Sequence, residues 1–141
     1  MRTLSILYQD EHLVAVNKPS GLLVHRSMID RHETENAMRI LRDQLGQWVW
    51  PLHRLDKPTS GVLVFALDRE TARLMTQFFS DGQASKYYLA IVRGFTKEVE
   101  CIDYPLKDLW DKITDRKATR DKPERSAVTQ YRRLATIELT H

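Results

Sequence analysis

Cysteine is almost missing from this chain of 141 residues. Cys101 stands alone, which excludes an internal disulfide and a multi-cysteine metal cluster and reads as a small buried hydrophobe. Long apolar runs are missing too, and nothing approaches the roughly 18 consecutive apolar residues that a bilayer span requires. No basic segment followed by an apolar one opens the sequence, so no secretory leader is expected and the cytoplasm is the expected compartment. His25 and His32 flank a charged stretch without metal-ligand spacing, and no metal is expected there. Repeats and low-complexity segments are absent. Neither sign of charge dominates: 22 Lys and Arg stand against 19 Asp and Glu, a formal +3, compatible with a nucleic-acid partner and diagnostic of none. With 42% apolar and 29% charged residues, the chain reads as one folded domain with a core of its own.

What is present is concentrated in His53-Arg54-Leu55-Asp56-Lys57-Pro58-Thr59-Ser60-Gly61. Pro58, Thr59, Ser60 and Gly61 fix backbone angles or bond to the backbone locally, so they predict a tight turn. Val62 to Leu67 has no polar member and reads as a strand buried on both faces. An imidazole, a guanidinium and a carboxylate are thus held at the mouth of a rigid element, where a scaffold commonly positions catalytic groups. The residues alone leave a second reading open. Asp and His before a strand also serve to satisfy turn amides, and Arg54 with Asp56 could be a surface ion pair contributing ~0–1 kcal/mol.

Around this stretch the pattern alternates between extended and helical segments. Ser5 to Tyr8 and His12 to Val16 read as strands joined by a polar turn at Gln9-Asp10-Glu11. Pro19 and Gly21 stop the second one, and Leu22 to His25 resumes an extended path. Apolar residues at helical spacing, with Thr34 as N-cap, predict a helix over 35–45. Trp48 to Leu52 follows as an extended lead, its tryptophans expected in the core. Asp68 caps a predicted amphipathic helix over 69–80 that packs on the sheet through Ala72, Met75, Phe78 and Phe79. Lys86 to Gly94 is apolar on both alternating faces and predicts a second central strand, with Tyr87 and Tyr88 on opposite faces. Val99 to Asp103 reads as a short strand, 107–126 as a long loop of mixed charge, and Ala127 to Leu139 again as a strand.

The nine residues His53 to Gly61 resemble the signature H-R-L-D-x-x-T-S-G of the RluA family of pseudouridine synthases, with every signature position filled. Asn17 to His25 resembles that family's first motif, and Ala127 to Tyr131 a later one. Lys86 to Gly94 resembles its K-x-Y-x-A-x-V-x-G stretch, which places the motif tyrosine at Tyr88 and the lysine at Lys86, and leaves Tyr87 to the core. The resemblance implies an α+β fold with a mixed, mainly antiparallel bent sheet flanked by helices, incomplete in this chain. It implies no cofactor and an RNA partner, a tRNA with its target uridine in the T stem. A ribosomal RNA, or RNA held without catalysis, is the alternative. The N1–C1′ bond of the uridine would be broken, the uracil turned, and the base rejoined through C5.

In the roles the resemblance implies, Asp56 carries the chemistry, either as nucleophile or by removing a ribose proton. Tyr88 stacks on the uracil, and Arg54 fills the gap left by an extruded base. His53, Lys18, Thr59, Ser60 and Lys86 complete the substrate side. Arg54 is the one cation expected near Asp56, because a later family motif of the form K-T-G-R-x-H-Q-I-R, whose arginine pairs with the catalytic carboxylate, has no counterpart here. The expectation is therefore of a fragment or an early end: weak or inactive alone, restored by the downstream motif, and prone to self-association through the sheet edge at 127–139.

Overall fold

The computed structural model describes residues 2–25, 35–106, 124 and 126–138. Thr34, His32, Leu139 and nearly all of the 107–126 loop lie outside the described residues. The chain divides into two compact units, Met1–Tyr87 and Tyr88–His141.

The first unit is a four-stranded sheet with two helices. Its strands are β1 (Ser5–Gln9), β2 (Leu13–Lys18), β3 (Trp50–Pro51) and β4 (Gly61–Ala66), in the order β1-β2-β4-β3. Each of these pairings is antiparallel. The expected turn between β1 and β2 is built by Asp10, whose Oδ1 accepts the amides of His12 at 2.8 Å and Leu13 at 2.7 Å. One carboxylate thereby replaces the turn's missing backbone acceptors. Strand β1 lies at the edge and shifts register between Ile6 and Tyr8.

Helix α1 (Ala37–Leu45) and helix α2 (Arg69–Ser80) flank the sheet. The cap of α1 is Asn36, whose side chain accepts the Arg39 amide at 2.9 Å. Its first amides, on Ala37 and Met38, donate to the carbonyls of Leu23 and Val24, so the extended segment after β2 fixes where the helix begins. Ala37, Ile40 and Leu41 then join Val14, Val16, Leu63 and Phe65 in the core. The strand residues share one face by the two-residue period and by the register Val14↔Phe65, Val16↔Leu63.

That period corrects the reading of β4 as buried on both sides. Leu63 and Phe65 are buried, while Val62 on the opposite face is 57% exposed, because α2 covers that face only in part. No residue of α2 is fully buried, and Leu74 and Phe78 are exposed. The tryptophans are corrected in the same way. Val49 takes the core position between them, Trp48 is 53% exposed, and it meets Trp50 edge-on at 6.4 Å with the Arg42 guanidinium over its ring.

The α2 cap carries a pH signature. Asp68 accepts both the amide and the hydroxyl of Thr71, at 2.8 and 2.7 Å, and faces His12 Nδ1 at 3.1 Å. The Thr71 amide, then its hydroxyl, then His12 hold the Asp68 carboxyl down at about 2. The same contact holds the His12 imidazole above its ordinary value. A depressed carboxyl stabilises the fold above its unfolded pKa of 3.8 and loses that contribution as pH falls toward 2; a raised imidazole contributes below 6.5 and loses its share as pH rises through the folded value. Urea melts between pH 2 and pH 8 should therefore show both limbs in the native chain. Asp68→Asn should diminish both, leaving the acid limb of the other depressed carboxyls, Asp10 and Glu70 among them, and an unchanged pH profile in that variant would rule out the cap as a source.

The second unit contains β5 (Val99–Asp103) paired antiparallel with β6 (Val128–Arg132), in the register Val99↔Arg132 to Asp103↔Val128. Of the strand expected over 127–139, backbone pairing runs as far as Arg133, whose amide donates to the Glu98 carbonyl at 2.8 Å, and Leu134 and Ile137 beyond it are exposed. The strand expected over Lys86 to Gly94 is likewise not formed. An extended segment becomes a strand only beside a hydrogen-bonding neighbour, and among the described residues none pairs with it. Tyr87 is 95% exposed instead of buried in a core, and Cys101 on β5 is exposed as well. Among the described residues, no helix is long and apolar enough to cross a membrane.

Candidate active site

Two loops leave the same end of the sheet, because Lys18, the last residue of β2, pairs with Gly61, the first of β4. They are bonded to each other at three points. Gly21 N donates to the Lys57 carbonyl at 2.8 Å. Ser20 Oγ donates to the Pro58 carbonyl at 2.7 Å. Lys18 Nζ reaches the same Lys57 carbonyl at 3.2 Å while also donating to Leu22 O at 2.7 Å and Pro19 O at 3.0 Å. Gly21 and Gly61 have φ of +82° and +125°, angles that residues with a Cβ seldom adopt, so the backbone path of the two loops depends on glycine.

The two-residue period that buries Val14 and Val16 also turns Lys18 into the core, where its side chain is fully buried. Its three donors meet three carbonyls. Burial pushes the ammonium below its ordinary value, and the nearby charge of Asp56 works in the opposite direction. Lys18 sits beneath the Asp56 loop as a strut, with its donors committed to backbone oxygens. It is also a cation near Asp56 that the sequence reading, with Arg54 as the one candidate, missed; the signal was there in the alternation Val14, Val16, Lys18.

The signature itself is anchored through Leu55, which is buried in the core, while Arg54 and Asp56 on either side are exposed. A turn closes the loop, with Thr59 N donating to the Asp56 carbonyl at 3.0 Å. Thr59 is half-buried and Ser60 exposed. His53 is half-buried, its Nε2 accepting the Val64 amide at 3.1 Å and its ring stacked on Phe79 at 5.3 Å. Burial pushes this imidazole below its ordinary value; hydrogen bonding with the Arg54 backbone opposes that shift and the positive charge of Lys86 adds to it. The first unit thus brings together Lys18, His53, Arg54, Asp56, Thr59 and Ser60, with Lys86 exposed nearby. Tyr88 belongs to the second unit, where it is 61% exposed. Among the described residues, no group of three His, Cys, Asp or Glu side chains could hold a metal ion.

An accessible carboxylate on a loop bonded at several points to its scaffold, with a guanidinium two residues away, suits attack on an electrophilic carbon or removal of a proton.

Comparison with known proteins gives a consistent picture. A family model described as RNA pseudouridylate synthase matches residues 12–140. A Vibrio cholerae protein named tRNA pseudouridine synthase C is 59% identical over 136 residues, which cover 96% of this chain and 56% of that protein. The protein of the same name from Pasteurella multocida is 57% identical over 139 residues, covering 99% of this chain and 57% of the relative. The chain therefore spans little more than half the length of these relatives. Among solved structures, human RNA Pseudouridylate Synthase Domain Containing 4 superposes with a TM-score of 0.60 at 26% identity, over 94% of this chain and 54% of that one. Human RNA Pseudouridylate Synthase Domain Containing 1, at 22% identity and a TM-score of 0.65, covers 91% of this chain and 51% of its own, and shows the shared α+β fold.

Proposed function

Since this chain belongs to the RNA pseudouridylate synthase family, we propose that it carries the aspartate-bearing part of a tRNA uridine isomerase. The observation that carries the proposal is the interlocked pair of loops that holds Asp56 accessible at the end of β4. Similarity to relatives named for tRNA supports tRNA as the substrate; the target, a uridine of the T stem, and the cytoplasm as the place of work are part of the proposal alone.

A uridine inside a stem is out of reach of any loop carboxylate, so it must first be flipped from the stack, at a cost of a few kcal/mol. Arg54 is exposed beside Asp56, and its planar guanidinium suits the vacated space. Asp56 then acts on the extruded nucleotide while the N1–C1′ bond breaks; the uracil turns and rejoins the ribose through C5. Tyr88 is assigned to the face of the uracil, and Thr59, Ser60 and Lys86 to the polar surroundings of the nucleotide.

Incubation of the chain, extended by the downstream family motif, with tRNA and with ribosomal RNA, followed by nucleoside analysis, tests this reading. Pseudouridine is expected in the tRNA alone. Product in ribosomal RNA alone would move the substrate, and binding without product would leave the chain as an RNA-holding module. Arg54→Ala should slow reaction on folded tRNA by ~10-fold or more and on an unstructured strand far less, because only the folded RNA has a stacking cost to meet. Equal losses on both substrates would remove Arg54 from base extrusion.

A further inference from the structure

Strands β3 and β4 part company at Leu52, and the way they part singles out one side chain. Continuing the register Trp50↔Ala66, Pro51↔Phe65 sets Leu52 opposite Val64. Such an opposed pair in an antiparallel ladder exchanges two hydrogen bonds, one in each direction. One of them is present: Leu52 N donates to Val64 O at 3.0 Å. The reciprocal bond is not to the Leu52 carbonyl. The Val64 amide donates instead to Nε2 of His53 at 3.1 Å. The imidazole has taken the place of a backbone carbonyl at the point where the chain leaves the sheet for Arg54 and Asp56.

We propose that His53 is a positioning residue, its neutral ring bridging β4 and α2 so that the Arg54–Asp56 segment departs from the sheet in one fixed direction. The ring is held on both sides, by the Val64 amide of β4 and by the face of Phe79 on α2 at 5.3 Å. Acceptance at Nε2 requires the ring to be neutral with its proton on Nδ1. A protonated ring would turn an N–H toward another N–H, breaking the bond and orphaning an amide inside the sheet. The surroundings favour the neutral form. Burial disfavours charge; hydrogen bonding with the Arg54 backbone works the other way, the like charge of Lys86 adds to burial, and β4 and α2 contribute the Val64 amide and the Phe79 ring.

Residue-resolved amide exchange on the whole chain tests this without reference to turnover. At pH 7 the Val64 amide should be protected in the native chain. Its protection factor should fall by ~10-fold or more as pH drops well below the imidazole's ordinary value near 6.5. His53→Gln sets a non-titrating amide oxygen where Nε2 stands and should keep Val64 protected at both pH values. His53→Ala should leave Val64 and the loop amide of Thr59 unprotected at both, with the β2 amides unaffected. If His53→Ala fails to fold, the pH response and the Gln variant decide the matter. Protection of Val64 that is indifferent to pH in the native chain, or to the Ala substitution, overturns the proposal.

The kinetic arm rests on the isomerase reading. With tRNA, His53→Ala should lower kcat by ~10-fold or more with KM within ~3-fold, and His53→Gln should restore kcat and flatten the acid limb of its pH profile. An unchanged kcat in the Ala variant overturns the positioning role even if Val64 responds. A chain that forms no pseudouridine on any RNA even when extended by the downstream family motif refutes the isomerase reading instead, and exchange at Val64 and Thr59 still decides the role of His53.

Discussion

In the chain extended by the downstream motif, Asp56→Asn is expected to reduce pseudouridine formation by ~10³-fold or more, the scale on which enzymes respond to loss of a nucleophile or essential base. The substitution is close to isosteric, and among the described residues the hydrogen bonds that hold the loop do not use the carboxylate. Thr59 N donates to the backbone carbonyl of Asp56, and the other contacts run through the carbonyls of Lys57 and Pro58. The fold and the affinity for tRNA should therefore survive. Thermal melts, tRNA binding and nucleoside analysis of the same preparation separate the outcomes. An Asn variant that turns over normally would remove Asp56 from the chemistry; one that fails to fold would mean the carboxylate has a structural task the geometry does not show.

Lys18→Ala is expected to destabilise the first unit by about 3–5 kcal/mol. It removes a fully buried side chain and takes the ammonium donor from the Pro19 and Leu22 carbonyls, while the Lys57 carbonyl keeps the Gly21 amide. Lys18→Met fills the volume without the donors and should cost about half as much, ~1–3 kcal/mol. Both variants should also lower turnover, since the Pro19–Leu22 and Lys57–Pro58 loops lose their shared anchor. Urea denaturation of the three proteins measures the series. If Lys18→Met were as stable as the native chain but bound tRNA more weakly, the ammonium would belong to the RNA and not to the loops.

What was legible in the sequence is what short segments decide for themselves. Asp68 before an apolar period announces α2 to the residue, because capping and amphipathicity need nothing beyond the segment. The polar turn at Asp10 is of the same kind. The start of α1 was less legible, since Thr34 and Asn36 are both capping types. The position of the Leu23 and Val24 carbonyls selects the second. Faces and partners were legible least. Val62 and Trp48 are apolar, yet exposed, because exposure depends on how far α2 and α1 extend over them. The 86–94 segment has the alternation of a strand, yet strand formation depends on a neighbour that local pattern does not supply.

The site divides along the same line. The signature displayed Arg54 and Asp56, and the buried Leu55 between them explains why both face outward. A lysine in a sequence is presumed to be solvated, so Lys18 read as a ligand contact, and only the frame set by Val14 and Val16 hinted otherwise. Nothing local reveals His53. Its ring has a backbone partner only because β3 departs from β4 one residue earlier.

The bonds between the two loops also bear on the order in which the molecule can fold. Ser20 and Pro58 are 38 positions apart, and Lys18 and Lys57 are 39 apart, with all of α1 in the interval. Contacts that close so long a stretch form late and cooperatively, after the entropy of closure has been met by the β2–β4 ladder beside them. The seat of Asp56 is thus not a nucleus around which the chain collects. It is an end product of sheet assembly, complete in its backbone contacts once Ala66 has paired with Leu13 and therefore available to a growing chain before the second unit has been synthesised.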